Sequence, residues 1–197
     1  HQDRDHQRIP RAVVEGRSSR DQLEQRRAER VDVRPAIDDT AALELLEDVP
    51  DLDAVVAPIG GGGLVSGTVL ALRELAPRVR VFGAEPAGAD DAARSLALGH
   101  LVPPGAPDTI ADGLLAGLGE RTWPPIRDGV ERIFVVDDAD TIAAMRSCWE
   151  RAKLLIEPSA AVAVAAVLCE DFRALDGLDR IGVSLSGGNL DLDRLPW

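Results

Sequence analysis

The stretch APIGGGGLVSG, residues 57–67, sets the strongest limit on how this chain folds. A short apolar run ends in four consecutive glycines, and a segment with helical periodicity follows at once. Glycine loses more backbone freedom on folding than any other residue, so four in a row oppose order unless something must come close to the main chain. Strand, glycine loop and helix together meet that condition for an anion. The first amides of a helix have no intrahelical partner and lie at the positive end of its dipole. A phosphate can rest on them when no Cβ stands in the way. Gly60, Gly61, Gly62 and Gly63, joined by the amide of Leu64, are therefore candidate phosphate-binding residues. The competing reading is a flexible strand-to-helix turn, which needs fewer glycines.

The type of phosphate is narrowed by what surrounds the glycines. A nucleotide P-loop requires Gly-Lys-Ser or Gly-Lys-Thr, whereas Leu64 and Val65 follow here. A dinucleotide fingerprint requires G-x-G-x-x-G; started at Gly60 its last slot holds Val65, and started at Gly61 it holds Ser66. Glu85 does stand about twenty residues on, at a strand end, where that fingerprint places an acid. A nicotinamide-dependent oxidoreductase thus remains an alternative, one glycine short.

Beyond Thr40 the pattern alternates. TAALELLEDVP carries Leu43, Leu45 and Leu46 on one helical face, and LDAVVAPIG reads as a buried strand. LVSGTVLALRELAP reads as a helix with Leu64, Val69, Leu72 and Leu75 inward; VRVFGAEP is the next strand and ADDAARSLALG the next helix. After a Pro/Gly-rich loop come a helix at Trp123–Gly129, the strand ERIFVVD, two helical stretches over 139–155 and 158–172, and the apolar strand DRIGVSLSGG. Strands alternating with helices predict an α/β fold, a parallel sheet with helices on both faces. Residues 1–38 differ: they are rich in Arg, Asp and Gln, and the one helix they suggest, SSRDQLEQRRAER, has almost no apolar stripe. They are expected to be a poorly ordered segment, with 39–197 as the folded part.

Charge excludes some partners. The formal net charge is −12, which opposes nucleic acid or an anionic membrane as the main partner. No apolar run is long enough to span a bilayer, no secretory core is visible, and Cys148 and Cys169 have neither disulfide-framework nor metal-knuckle spacing. A cytoplasmic location is expected. Two oddities remain. The chain starts at His1 and its one methionine is Met145, as in a fragment or processed product. It also carries a single lysine, Lys153.

In the second half GAEPAGADDAARSLALG, TIADGLLAGLGERTWPPIRD, LLIEPSAAVAVAA and GVSLSGGN follow in order. Together they resemble the pyridoxal-phosphate (PLP) enzymes of fold type II, the tryptophan synthase β-like fold, and within them the serine/threonine dehydratase and serine racemase group. The resemblance covers about Thr40 to Trp197, so the fold it implies is truncated. It implies that Gly60 to Leu64 bind the cofactor phosphate, that Ser186 hydrogen-bonds the pyridine nitrogen, that the backbone at Gly113 approaches the ring, and that Glu157 lies nearby. A hydroxyl on the pyridine nitrogen, unlike an aspartate, does not force a charge on the ring and leaves a weaker electron sink, which suits elimination. Glu157 alone also reads as the cap of the helix that Pro158 begins. EPAGADD is similar to a divalent-cation loop, implying Mg²⁺ or Ca²⁺ on Glu85, the carbonyl of Ala89 and Asp91; by itself it is an acidic helix start.

The resemblance further implies a β-elimination of water from L-threonine or L-serine to a 2-oxo acid and ammonia, or racemisation of serine, in an enzyme that is commonly a dimer. It also exposes a gap. Such enzymes hold the cofactor on a lysine of a Ser-x-Lys-x-Arg-Gly motif that also moves the substrate's α-proton. No such motif is present, and Lys153 falls in a helical stretch where relatives carry a non-catalytic residue. No residue is therefore assigned as catalytic, and the isolated chain is expected to be inactive. A non-catalytic PLP- or phosphate-binding remnant acting with a partner chain is the other alternative, and a frameshift or a misplaced gene start would account for the Arg-rich, lysine-free residues 1 to about 38.

Overall fold

The computed structural model describes residues 40–197. The expectations for residues 1–38, including the helix SSRDQLEQRRAER, lie outside the described residues.

The apolar runs become strands β1 (Ala54–Pro58), β2 (Arg80–Pro86), β3 (Arg132–Val136) and β4 (Ile181–Val183). They form one sheet in the order β3-β2-β1-β4, and every pairing is parallel. All five residues of β1 are buried, as expected of a strand covered on both faces. The side-chain alternation divides the core in two. Val55, Ala57 and Val81 face one layer with α1 (Thr40–Asp48), α2 (Gly63–Leu75) and α4 (Trp123–Gly129). Val56, Phe82, Ala84 and Phe134 face the other, with α5 (Asp138–Ser147), α6 (Pro158–Leu168) and α7 (Glu170–Arg173). Phe82, Phe134 and Phe172 meet there edge to face or tilted, with ring centroids 5.2–5.9 Å apart. Helix α3 (Asp91–Leu98) follows β2. The two-faced α/β sandwich read from the pattern is thus the fold.

Three details differ from the periodicity. Leu64 and Leu75 are only partly buried, while Val65 takes the fully buried place. The helix expected over 139–155 stops early: α5 passes into a π-helical turn at Cys148–Ala152, and Lys153 ends it in the left-handed conformation at φ 59°. The indole of Trp149 donates to the Ile156 carbonyl at 3.0 Å and folds the chain back, leaving Leu154 and Leu155 exposed. The helix expected over 158–172 breaks at Cys169, whose backbone is extended and whose Sγ accepts the Phe172 amide at 3.4 Å. That break swings Phe172 into the aromatic cluster.

The order β3-β2-β1-β4 places a reversal at β1: the chain moves outward from β1 to β3, then returns to β1's other side for β4. In open parallel sheets the crevice beyond the carboxyl ends at such a reversal is where ligands bind. The tetraglycine run leaves β1 there, and the SGGN stretch leaves β4 there.

Candidate functional site

The four glycines form the bend that opens α2. Gly62 occupies the N-cap position with φ 84°, which a side chain adopts only at a cost, and no side chain caps the helix. The first amides of α2 are thereby left for another acceptor. The bend is held from one side. Thr122 is buried, and its Oγ1 donates to the Gly61 carbonyl at 2.8 Å, while Ser66 Oγ donates to the Thr122 carbonyl at 2.9 Å. A Cβ on Gly62 would stand 2.6 Å from Leu118 Cδ1 and 2.8 Å from Thr122 Oγ1. A Cβ on Gly61 would meet nothing nearer than 3.9 Å, and Gly61 is exposed. Gly62 is therefore glycine for the fold, whereas Gly61 has no packing reason to be one. Gly63 and Leu64, the first residues of α2, are half-buried.

The other candidates connect to this bend through a chain of close backbone approaches. A Cβ on Gly60 would lie 3.1 Å from Leu114 Cα and 3.3 Å from the Gly113 carbonyl. Gly113 sits in a 3₁₀ turn, Asp112–Leu114, and its amide donates to Ser159 Oγ at 2.9 Å. Glu157, two residues before Ser159, is the N-cap of α6, yet its side chain does not cap the helix. Its carboxylate turns to the stretch after β4, where Oε2 accepts the Asn189 amide at 2.8 Å and Gly187 leaves no room for a Cβ against it. The Glu157 amide donates to the Gly187 carbonyl at 3.1 Å. The cap reading of Glu157 therefore holds only for its backbone. Ser186, exposed, immediately precedes this junction. Gly60, Gly113, Glu157 and the Ser186 stretch thus converge from four separate parts of the chain.

The EPAGADD stretch forms the loop between β2 and α3. Glu85 is 1% exposed, and its two carboxylate oxygens accept the Ala92 and Ala93 amides at 3.1 and 2.7 Å. Burial pushes its pKa up to about 8, against those two hydrogen bonds, and the charges of Asp91 and Asp90 add to the rise. Asp91 is also buried; its Oδ2 accepts the Leu118 amide at 2.8 Å. Leu118 in turn packs against Gly62, so the acidic loop and the glycine bend share one wall. Ala89 lies in a turn, its amide donating to the Pro86 carbonyl at 2.9 Å. Among the described residues no three His, Cys, Asp or Glu side chains group at metal-binding spacing, so a cation here requires the Ala89 carbonyl. A cavity of about 300 Å³ opens along this loop, lined by Ala87–Asp91, Arg94, Pro104–Asp108 and Leu115. None of the four glycines lines it.

Sequence reasoning missed Thr122, Ser159 and the Leu118 contact of Asp91. Each works through one hydroxyl or amide facing a distant loop, and nothing in local spacing marks that. Asp138 is another: its carboxylate accepts the Thr109 hydroxyl at 2.6 Å and the Ile110 amide at 3.1 Å, fixing the approach to the Gly113 turn. Lys153 lies just past the helical stretch in which it was placed. It is exposed, and its Nζ donates to the Glu150 carbonyl at 2.6 Å. Among the described residues no helix is long and apolar enough to cross a membrane.

The residues present suit a phosphorylated cofactor: a glycine cradle at an uncapped helix start, a second glycine backbone against it, and a hydroxyl-bearing loop across the crevice. Comparison with known proteins agrees. The family model described as pyridoxal-phosphate dependent enzyme matches residues 30–187. A serine racemase of Oryza sativa subsp. indica is 47% identical over 159 residues, covering 79% of this chain and 47% of the relative. The beta-hydroxyaspartate dehydratase of Paracoccus denitrificans is 49% identical over 158 residues, covering 80% and 50%. The solved structure of maize serine racemase superposes with a TM-score of 0.76 at 46% identity, covering 78% of this chain and 49% of that one. The chain spans about half the length of these relatives. By its fold, its motif order and these matches, the chain belongs to the pyridoxal-phosphate-dependent enzymes of fold type II.

Proposed function

We propose that residues 40–197 supply the phosphate-binding side of a PLP enzyme that eliminates water from a β-hydroxy amino acid, L-threonine or L-serine, giving a 2-oxo acid and ammonia. Racemisation of serine is open to the same apparatus. The observation that carries this reading is the convergence of the uncapped glycine bend, the Gly113 turn and the Ser186 loop at the strand-order reversal. The names of the similar proteins, racemase and dehydratase, support both reactions.

In this reading the amides of Gly60, Gly61, Gly62, Gly63 and Leu64 hold the phosphate. The Gly113 backbone would line the ring, Ser186 would meet the pyridine nitrogen with its hydroxyl, and Glu157 keeps the Ser186 loop in place through Asn189 and Gly187. When bound, PLP supplies an electron sink that acidifies the substrate's α-proton. Ser186 would meet the ring nitrogen with a neutral hydroxyl and not with a charged carboxylate. Glu85, the Ala89 carbonyl and Asp91 would hold Mg²⁺ or Ca²⁺, whose charge would offset the burial of the two acidic side chains behind Gly62. Among the described residues the one lysine, Lys153, is exposed and its ammonium is engaged with the Glu150 carbonyl, which supports a reading in which it does not move the α-proton. In this reading the chain by itself is inactive, and the lysine comes from family sequence outside residues 40–197.

Two measurements test this. Titration of the chain with PLP, followed by tryptophan fluorescence, is expected to saturate and to be competed by inorganic phosphate, while NAD gives no signal. A chimera carrying the lysine-bearing N-terminal half of a similar serine racemase is expected to release 2-oxo acid and ammonia from L-threonine or L-serine. A chimera that binds PLP yet only racemises serine would move the assignment to racemase. One that does neither removes the reading.

A further inference from the structure

The start of α6 reaches two loops at once. Glu157 grips the loop after β4 through Asn189 and Gly187, and Ser159, two residues further on, accepts the Gly113 amide at 2.9 Å. Ser159 is 2% exposed, and a Cβ on Gly113 would stand only 2.8 Å from its Oγ and 3.9 Å from Glu157 Oε1. Pro158 between them has no amide to satisfy and a fixed φ, so the two side chains are launched from a rigid first turn. Gly113 in turn backs directly on Gly60. The distance across the crevice, from the glycine bend to the Ser186 loop, is therefore spanned by one short path: Gly60, Gly113, Ser159, Glu157, Gly187.

We propose that Ser159 is a positioning residue for the cofactor, fixing the Gly113 turn so that the phosphate cradle and the Ser186 loop stand at one separation. This rests on the reading of the crevice as the PLP site. Ser159 does not touch the reacting atoms; it acts by holding the Gly113 amide. A serine supplies the acceptor at this spacing, where a Cβ built on Gly113 would lie 3.2 Å from the Ser159 Cβ, and an alanine in the first turn of α6 offers none. A purely structural serine would affect stability alone.

The test compares Ser159→Ala with Ser159→Thr in the chain as it exists. Ser159→Ala is expected to speed hydrogen exchange at the Gly113 amide and to weaken PLP binding, each by about five- to tenfold, the loss of one buried hydrogen bond. Ser159→Thr keeps the hydroxyl but crowds the core, so its Tm is expected to fall at least as far while PLP affinity stays within about threefold of the parent. If affinity instead follows Tm across the two variants, the role is structural and the proposal fails. It fails also if Ser159→Ala leaves the Gly113 amide as protected as before. If the unaltered chain does not bind PLP, the reading of the crevice fails, while the exchange measurement still decides whether Ser159 holds the turn.

Discussion

At the scale of single residues, the four glycines are not equivalent. Gly62 combines φ 84° with a crowded side facing Leu118, Thr122 and Ile126. Gly62→Ala is expected to cost about 2–4 kcal/mol, strain plus overpacking, seen as a lower Tm or denaturant midpoint. A Cβ on Gly61 would make only ordinary contacts, at 3.9–4.0 Å, so Gly61→Ala is expected to change stability by no more than about 0.5 kcal/mol. The same methyl would stand in the proposed phosphate cradle, and PLP affinity is expected to fall at least about tenfold, since a displaced charge-assisted bond is worth more than 1.4 kcal/mol. A Gly61→Ala chain that binds PLP as well as the parent would show that the phosphate does not sit there. The quadruple glycine was legible as a site in the sequence; the division of labour among its members was not, because it depends on which neighbours crowd each Cα.

At the scale of elements, the loop from β2 to α3 joins two tasks. Glu85 satisfies the first amides of α3, and Asp91 ties that helix start to Leu118 behind the glycine bend. With both carboxylates buried, a divalent cation is expected to stabilise the chain. At a hundredfold excess over Kd, Mg²⁺ or Ca²⁺ should raise Tm by roughly 5–10 °C, and a chelator should reverse it. Glu85→Gln is expected to abolish that rise and to cost about 1–3 kcal/mol in metal-free buffer, because its amide group faces a backbone N–H. A parent chain indifferent to both cations would remove the cation reading. On the opposite face, helix α7 exists because Cys169 interrupts α6 and caps the turn that carries Phe172. Phe172 is 2% exposed within the aromatic cluster, and Phe172→Ala is expected to cost about 3–5 kcal/mol by thermal or urea unfolding. Periodicity read this region as one helix, since the apolar pattern continues through residue 172 while the backbone does not.

At the scale of the whole molecule, the described residues offer a two-faced four-stranded sheet and one side of a crevice. Ser186, Gly61 and Gly113 are all exposed, so the proposed cofactor contacts are open to water from one direction. Purified chain with PLP and borohydride is accordingly expected to give no adduct at Lys153, and L-threonine or L-serine no 2-oxo acid. A trapped adduct on Lys153, read by peptide mass, would overturn the statement that this lysine is not the cofactor's anchor.

The alternation of apolar strands with periodic helices was enough to determine the two-faced parallel sheet, because a strand buried on both sides must be apolar throughout and a covering helix must repeat near 3.6 residues. The motif order was enough to determine the family. What only the tertiary structure decided is which loops meet. The strand order, with its reversal at β1, brings residues 60, 113, 157 and 186 to one crevice. Thr122, Ser159 and Asp138 then hold those loops through side-chain hydrogen bonds to residues distant in the chain. Such contacts leave no trace in local spacing, since a hydroxyl or carboxylate chooses its partner by distance in space and not by separation along the chain.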